Sequence, residues 1–225
     1  MLAGLIADVH SNAVALRAVL AKLDAAGVEK ILHAGDIVGY NPYPDETVGL
    51  FKKKNILSIL GNHDRALITG DTSGFNLYAA AALRWTRNIM QPGNVEYIRG
   101  LENVEHIDLE GTPIALVHGS PRDLDEYIYP DDAEPGFLSL VNSSVLVLGH
   151  THVQFKREYP EGMIVNPGSV GQPRDGDPRA AFAVLDTESG EVKLQRTGYD
   201  IEKVIEDMLA AHLPEELAFR LRIGF

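Results

Sequence analysis

Apolar residues cluster at residues 2–7, "LAGLIA", and then fall on one helical face from Asn12 to Val28, "NAVALRAVLAKLDAAGV". A short unbroken apolar run reads as a buried strand, and apolar positions recurring every three or four residues read as an amphipathic helix, here with Gly27 near its end. "KILHAGD" is a second strand. "PDETVGLFKKKN" opens with Pro44 and acids and closes in lysines, the polarity a helix dipole favours. "ILSIL", residues 56–60, is a third strand. The order β-α-β-α-β predicts an α/β layered fold whose sheet starts out mostly parallel.

The pattern then changes twice. Residues 75–90, "FNLYAAAALRWTRNIM", predict an alanine-rich helix, and a shorter helical stretch follows Pro92-Gly93 as far as Leu101. Tyr78, Ala82, Trp85 and Ile89 lie at helical spacing and are expected to form its core face rather than a cover over a ligand. From residue 103 come closely spaced strands: "NVEHIDL", "TPIALVHG", "SVLVLGH", "GMIVNPG", "AAFAVLD" and "EVKLQRTG". The last two, 180–186 and 191–198, are joined by "TESG" and form a hairpin. A helix at 201–212 and a short helical tail close the chain. Without a repeat, a low-complexity segment or a linker, residues 1–225 are expected to form a single domain with a helical insertion at about 65–101.

Composition narrows the chemistry. The 225 residues are 45% hydrophobic, enough for a substantial core. Cysteine is absent, which excludes disulfides, thiolate zinc sites and a thiol nucleophile, so any metal must be held by His, Asp, Glu or Asn. Thirty-two acidic against twenty basic residues give a net charge of −12, which argues against binding duplex nucleic acid through its phosphates. The start of the chain has no basic leader, and no apolar run approaches the roughly 18 residues of a membrane span. A soluble, cytoplasmic protein is expected.

The polar residues that follow the strands matter most. Strand one ends in Asp8 and His10, strand two in Asp36, strand three in Asn62, His63 and Asp64, "ALVHGSP" in His118, and "VLVLGHTH" in His150 and His152. Side chains alternate along an extended segment, so Asp8 with His10, and His150 with His152, are expected to share a face. In open α/β sheets, sites form beyond the carboxyl ends of the strands. Asp8, His10, Asp36, Asn62, His118, His150 and His152 offer more oxygen and nitrogen ligands than one transition ion takes, which fits two metals sharing a carboxylate. Gly35, Gly61 and Gly149 precede these clusters as turn residues or as points of close backbone approach. His33 has the opposite parity to Asp36 and is expected to be structural, and His106 and His212 have no polar company. Arg174, in "GQPRDGDPR", is a candidate for contacting a substrate phosphate.

In that order and spacing, "ADVHSN", "GDIVGYNP", "GNHD", "VHGSP" and "GHTH" resemble the five motifs of the calcineurin-like metallophosphoesterase superfamily. The later "NPGSVGQPRDGDPRA" is similar to its YfcE-type bacterial and archaeal phosphodiesterase branch. The resemblance implies two mixed β-sheets packed as a sandwich flanked by helices. It implies that Asp8, His10, Asp36 and His152 hold one divalent ion, that Asp36, Asn62, His118 and His150 hold the other, and that His63 lies beside the substrate phosphate as a non-ligand. Manganese is the expected metal, with iron, nickel or zinc as alternatives.

The implied reaction is hydrolysis of phosphodiester bonds in small substrates or nucleotides by a metal-bridging hydroxide, with Asp36, Asn62 and His63 as its catalytic residues. An alternative is a dinucleoside polyphosphate pyrophosphatase with the same centre. A catalytically silent scaffold of the same fold is disfavoured because the ligand set is complete. Loops at 41–45, 65–100 and 120–136 would set specificity. One departure stands out: the superfamily's Ser/Thr protein phosphatases carry an Asp-Arg pair where this chain has Gly39-Tyr40, which argues against that activity and leaves the partner of His63 open.

Overall fold

A computed structural model describes residues 1–225. The first half runs β1 (Leu2–Ile6), α1 (Ala13–Ala25), β2 (Lys30–His33), α2 (Pro44–Lys54), β3 (Leu57–Ser58), α3 (Asn62–Thr69), α4 (Leu77–Ile89) and α5 (Pro92–Arg99). The second half runs β4 (Val104–Leu109), β5 (Thr112–Val117), α6 (Gly136–Val141), β6 (Val145–Val147), β7 (Phe155–Tyr159), β8 (Gly162–Asn166), β9 (Ala180–Asp186), β10 (Val192–Thr197), α7 (Ile201–Ala210) and α8 (Glu215–Arg220). Local chemistry sets the helix ends. Asn12 caps α1 by accepting the Ala15 N–H at 3.0 Å, and α2 begins at Pro44 and ends at a left-handed Asn55.

Two five-stranded sheets result, ordered β10-β9-β1-β2-β3 and β4-β5-β6-β8-β7. Both are mixed: β1 pairs in parallel with β2 and antiparallel with β9, and β6 lies parallel between β5 and β8. Leu5, Leu32 and Leu185 of the first sheet pack on Ile114, Leu116 and Val147 of the second, so the sheets meet face to face. α1 and α2 cover the outer face of the first sheet through Leu16, Val19 and Phe51, and α6 covers the second through Phe137 and Leu138. This is the layered sandwich expected of the resemblance.

Four details differ from the expected elements. The third strand is two residues long, because the Leu60 N–H turns away to the Glu102 carbonyl at 2.8 Å. β7, "FKREY", lacks an apolar alternation because it is an edge strand with its charges in solvent; the short helix α6 is likewise outside the expected elements. On α4 the buried face is Ala79, Ala82, Leu83 and Thr86, while Tyr78 and Ile89 are exposed. The bulky apolar residues at helical spacing therefore do not all mark the core. Small residues let α4 lie close to its neighbours.

Candidate metal centre

β1, β2, β3, β5 and β6 all point their carboxyl ends to one edge of the sandwich, and the polar clusters gather there. Strand alternation is not what aligns them. β6 ends at Val147, and Asp8, His10, Asp36, His150 and His152 all have left-handed backbones, with φ of 53, 48, 63, 68 and 60°. Asp and His tolerate this region better than most residues, and such outliers persist only where surrounding contacts hold them. Here the Asp8 N–H donates to the Gly35 carbonyl, His10 to Asp36, and Gly149 to His118, at 2.9–3.0 Å. The convergence expected of Asp8 with His10 is found, their Oδ1 and Nε2 lying 3.7 Å apart, but tight turns produce it, while His150 and His152 part, His152 toward His10 and His150 toward His118.

Three imidazoles are oriented alike. His10, His118 and His152 each donate Nδ1–H to a main-chain carbonyl, of Val38 (3.1 Å), Ala34 (2.8 Å) and Gln172 (2.6 Å) respectively. Because the carbonyl can only accept, a proton sits on Nδ1 and Nε2 faces inward, where the neutral ring presents a lone pair, the arrangement that prepares histidine as a metal ligand. His10 Nε2 and His152 Nε2 stand 3.0 Å apart, with Asp8 Oδ1 at 3.7 and 3.4 Å from them. Burial holds both rings well below the ordinary imidazole range, so two buried lone pairs face each other. A shared cation resolves that repulsion, and the residues fit one.

Asp36 lies between the two halves of the cluster. Its Oδ1 accepts the His63 N–H at 2.8 Å, and its Oδ2 is 3.6 Å from His10 Nε2 and 3.4 Å from His118 Nε2. Burial works against ionisation of this carboxyl, but the neighbouring His118, His63 and His10 outweigh it and hold its pKa well below the usual range. Burial also pulls on His118, yet the facing Asp36 and Asp8 charges raise it to about 9. Positive charge is favoured at His118, on one side of Asp36, while His10 on the other side is held neutral. Gly61 makes this approach possible, since a Cβ there would lie 2.0 Å from Asp36 Oδ1.

The remaining expected residues are placed as follows. Asn62 Oδ1 is 3.1 Å from His118 Nε2. His150 donates Nε2–H to the Asp125 carbonyl at 3.0 Å, its ring lies 4.9 Å from that of His118, and Tyr127 packs on it at 4.0 Å. His63 is buried beside the cluster, and burial lowers its pKa to about 4. Arg174 reaches the same edge through Tyr40, its Nη2 donating to the hydroxyl at 3.0 Å. His33 is structural as expected, bonded to Ser58 Oγ at 2.7 Å, and His106 and His212 are exposed.

Some residues at the site have roles that the sequence does not signal. Asp64 is buried and accepts the N–H groups of Asp36, Ile37, Val38 and Gly61 at 2.9–3.2 Å, fixing the loop that carries Asp36. Burial and the nearby Asp36 charge raise its pKa to about 7. Gln172 and Asp125 act through main-chain carbonyls, which any residue type supplies. Tyr40 was noticed only as a departure from a motif.

The chain matches the calcineurin-like phosphoesterase superfamily domain over residues 1–190. It is 34% identical over 237 residues to an uncharacterised protein of Methanocaldococcus jannaschii, covering 97% of this chain and 96% of that one. The crystal structure of a metallophosphoesterase from Sphaerobacter thermophilus superposes with a TM-score of 0.88 at 36% identity, covering all of both chains. YfcE, a phosphoesterase from E. coli, shares the fold at a TM-score of 0.54 and 18% identity, over 89% of this chain and all of the other. With the layered sandwich and the His/Asp cluster at its strand ends, these similarities show that the chain belongs to the calcineurin-like phosphoesterase superfamily.

Proposed function

We propose that the protein hydrolyses phosphodiester bonds in small substrates or nucleotides at a two-metal centre. One observation carries the reading: a single carboxylate oxygen, Asp36 Oδ2, faces imidazole nitrogens of both halves of the cluster at 3.6 and 3.4 Å. Asp8, His10, Asp36 and His152 would hold one cation, and Asp36, Asn62, His118 and His150 the other. The mixed carboxylate, amide and imidazole set suits manganese, with iron, nickel or zinc also compatible. When bound, two such ions neutralise phosphoryl charge and lower the pKa of water at the site.

The chain itself supplies orientation. Asp36 holds both halves in register, Asn62 brings its amide oxygen against His118, and His63, with a ring nitrogen within 4.8 Å of His10 and Asp36 ligand atoms, would act as a hydrogen-bonding group beside the ions. No cysteine competes as a nucleophile. A cavity of about 350 Å³, lined in part by Asn62, Arg65, Phe75, Tyr127 and His150, adjoins the Asn62 side and has room for an ester substituent. The test is metal content together with hydrolysis of a panel of diesters, monoesters and pyrophosphate-bridged dinucleotides, before and after chelation. Diester hydrolysis that disappears with the metal and returns with Mn²⁺ is expected. Diester hydrolysis that survives chelation overturns the reading.

A further inference from the structure

Tyr40 has the geometry of a working residue. Its backbone is left-handed, with φ 44°, an unfavourable conformation for an aromatic residue. Its ring is 4% exposed and packs edge-on against His10 at 4.5 Å and tilted against His63 at 4.5 Å. The preceding Gly39 has φ 117°, and a Cβ there would lie 2.5 Å from His63 Nδ1. A Gly39 Cα–H therefore points at that nitrogen, which is buried and has no hydrogen-bond partner. A lone pair accommodates the approach and an N–H does not.

This places the His63 proton on Nε2, 3.2 Å from Tyr40 Oη. The same oxygen accepts Arg174 Nη2 at 3.0 Å. A phenol has two lone pairs and one proton. With both lone pairs taken, the hydroxyl proton has no acceptor in the protein. A phenol keeps its proton at neutral pH, so the hydroxyl remains a donor. Beside it, Arg174 Nε is also without a partner, and the guanidinium lies 5.6 Å from the Tyr40 ring. Two unclaimed donors, one neutral and one cationic, therefore flank the His10–His152 side of the centre.

We propose that Tyr40 Oη–H and Arg174 Nε–H together bind a phosphoryl oxygen of the substrate, with His63 Nε2–H and Arg174 Nη2–H orienting the tyrosine oxygen. The pair takes the place of the Asp-Arg sequence that Gly39-Tyr40 replaces, with the arginine supplied from a loop 134 residues further along. The inference rests on the phosphoesterase reading for its ligand class, a phosphate or phosphate ester.

The experiment is calorimetric titration of the metal-loaded full chain with inorganic phosphate, comparing Tyr40→Phe, Arg174→Gln, the double variant and Tyr43→Phe. Tyr40→Phe keeps the ring and is expected to retain its metals while binding phosphate about 10-fold more weakly, the usual loss for a hydrogen bond to a charged group. The double variant should lose less than the two single losses combined, because Arg174 acts partly through Tyr40. Tyr43→Phe, whose hydroxyl donates to Asp207, should bind as the parent does. Unchanged affinity in Tyr40→Phe, loss of metal in it, or an equal loss in Tyr43→Phe overturns the proposal. A parent that binds phosphate but cleaves no diester removes the phosphodiesterase reading and leaves the Tyr40 comparison decisive. A parent that binds no phosphate removes both.

Discussion

The two halves of the centre each set two imidazoles beside one further oxygen group, a carboxylate in one and an amide in the other, and are built differently. On the Asp8–His10–His152 side the three side chains are at most 2% exposed, two rings are locked by carbonyls of Val38 and Gln172, and ligand atoms stand 3.0–3.7 Å apart. On the Asn62–His118–His150 side, His118 is locked in the same way by the Ala34 carbonyl, but Asn62 is half-buried and His150 is held by the Asp125 carbonyl and Tyr127, both in a surface loop. That side opens on the cavity. A ligand set locked by buried main chain is preorganised, whereas one braced by a surface loop has further ordering to complete when it binds. In the proposed reading the first half would seat one ion, and the second would seat the other beside the cavity.

The largest effect that tests this contrast is at the residue common to both halves. Asp36→Asn should weaken retention of both ions by about 10²–10³-fold, as expected when one partner of a buried charge cluster is removed, whereas Asn62→Ala should lose only the ion of the open side. Metal content per chain decides between them. Equal retention by the two variants would break the bridging assignment.

His63→Ala belongs to neither half and should keep both ions. Its ring nitrogens make no hydrogen bond to a carboxylate that would hold a proton for the leaving group, so we expect a loss of about 10² in rate that is similar for nitrophenyl and alkyl diesters, as charge stabilisation requires. A much larger loss on the alkyl diester would make His63 a general acid instead. Asp64→Asn leaves one carboxamide oxygen for four N–H groups and should cost about 1–3 kcal/mol of stability, read from denaturant unfolding of the metal-free protein. Unchanged stability would show that the Asp36 loop stands without it.

The smallest effect probes the open half alone. Tyr127→Ala should weaken one ion by about 10-fold through the loss of support to His150 and leave the other unchanged. Stepwise chelation of the parent should show the same asymmetry, with one ion leaving before the other. Simultaneous release at all chelator concentrations would mean that the halves do not differ in tightness.

Much of the fold was legible because its signals are local. Apolar periodicity set out β1 through α2, Pro44 and the lysines bounded α2, and the "TESG" turn marked the β9–β10 hairpin. β7 was missed because an edge strand carries no burial signal, and the core face of α4 was misjudged because alanine, not the bulky residues, makes its contact.

The site divides along the same line. The sequence by itself determined the inventory: which carboxylates, amide and imidazoles follow the strands, and that no thiolate competes with them. Only the tertiary structure decided how they converge, through left-handed turns at Asp8, His10, Asp36, His150 and His152 rather than strand alternation. It also decided which ring nitrogen faces inward, because the carbonyls of Ala34 and Gln172 and the Tyr40–Arg174 contact are joined to their histidines across space. A main-chain carbonyl is the same in every residue, and a pair 134 positions apart leaves no local pattern, so neither is written where a reader of the sequence can find it.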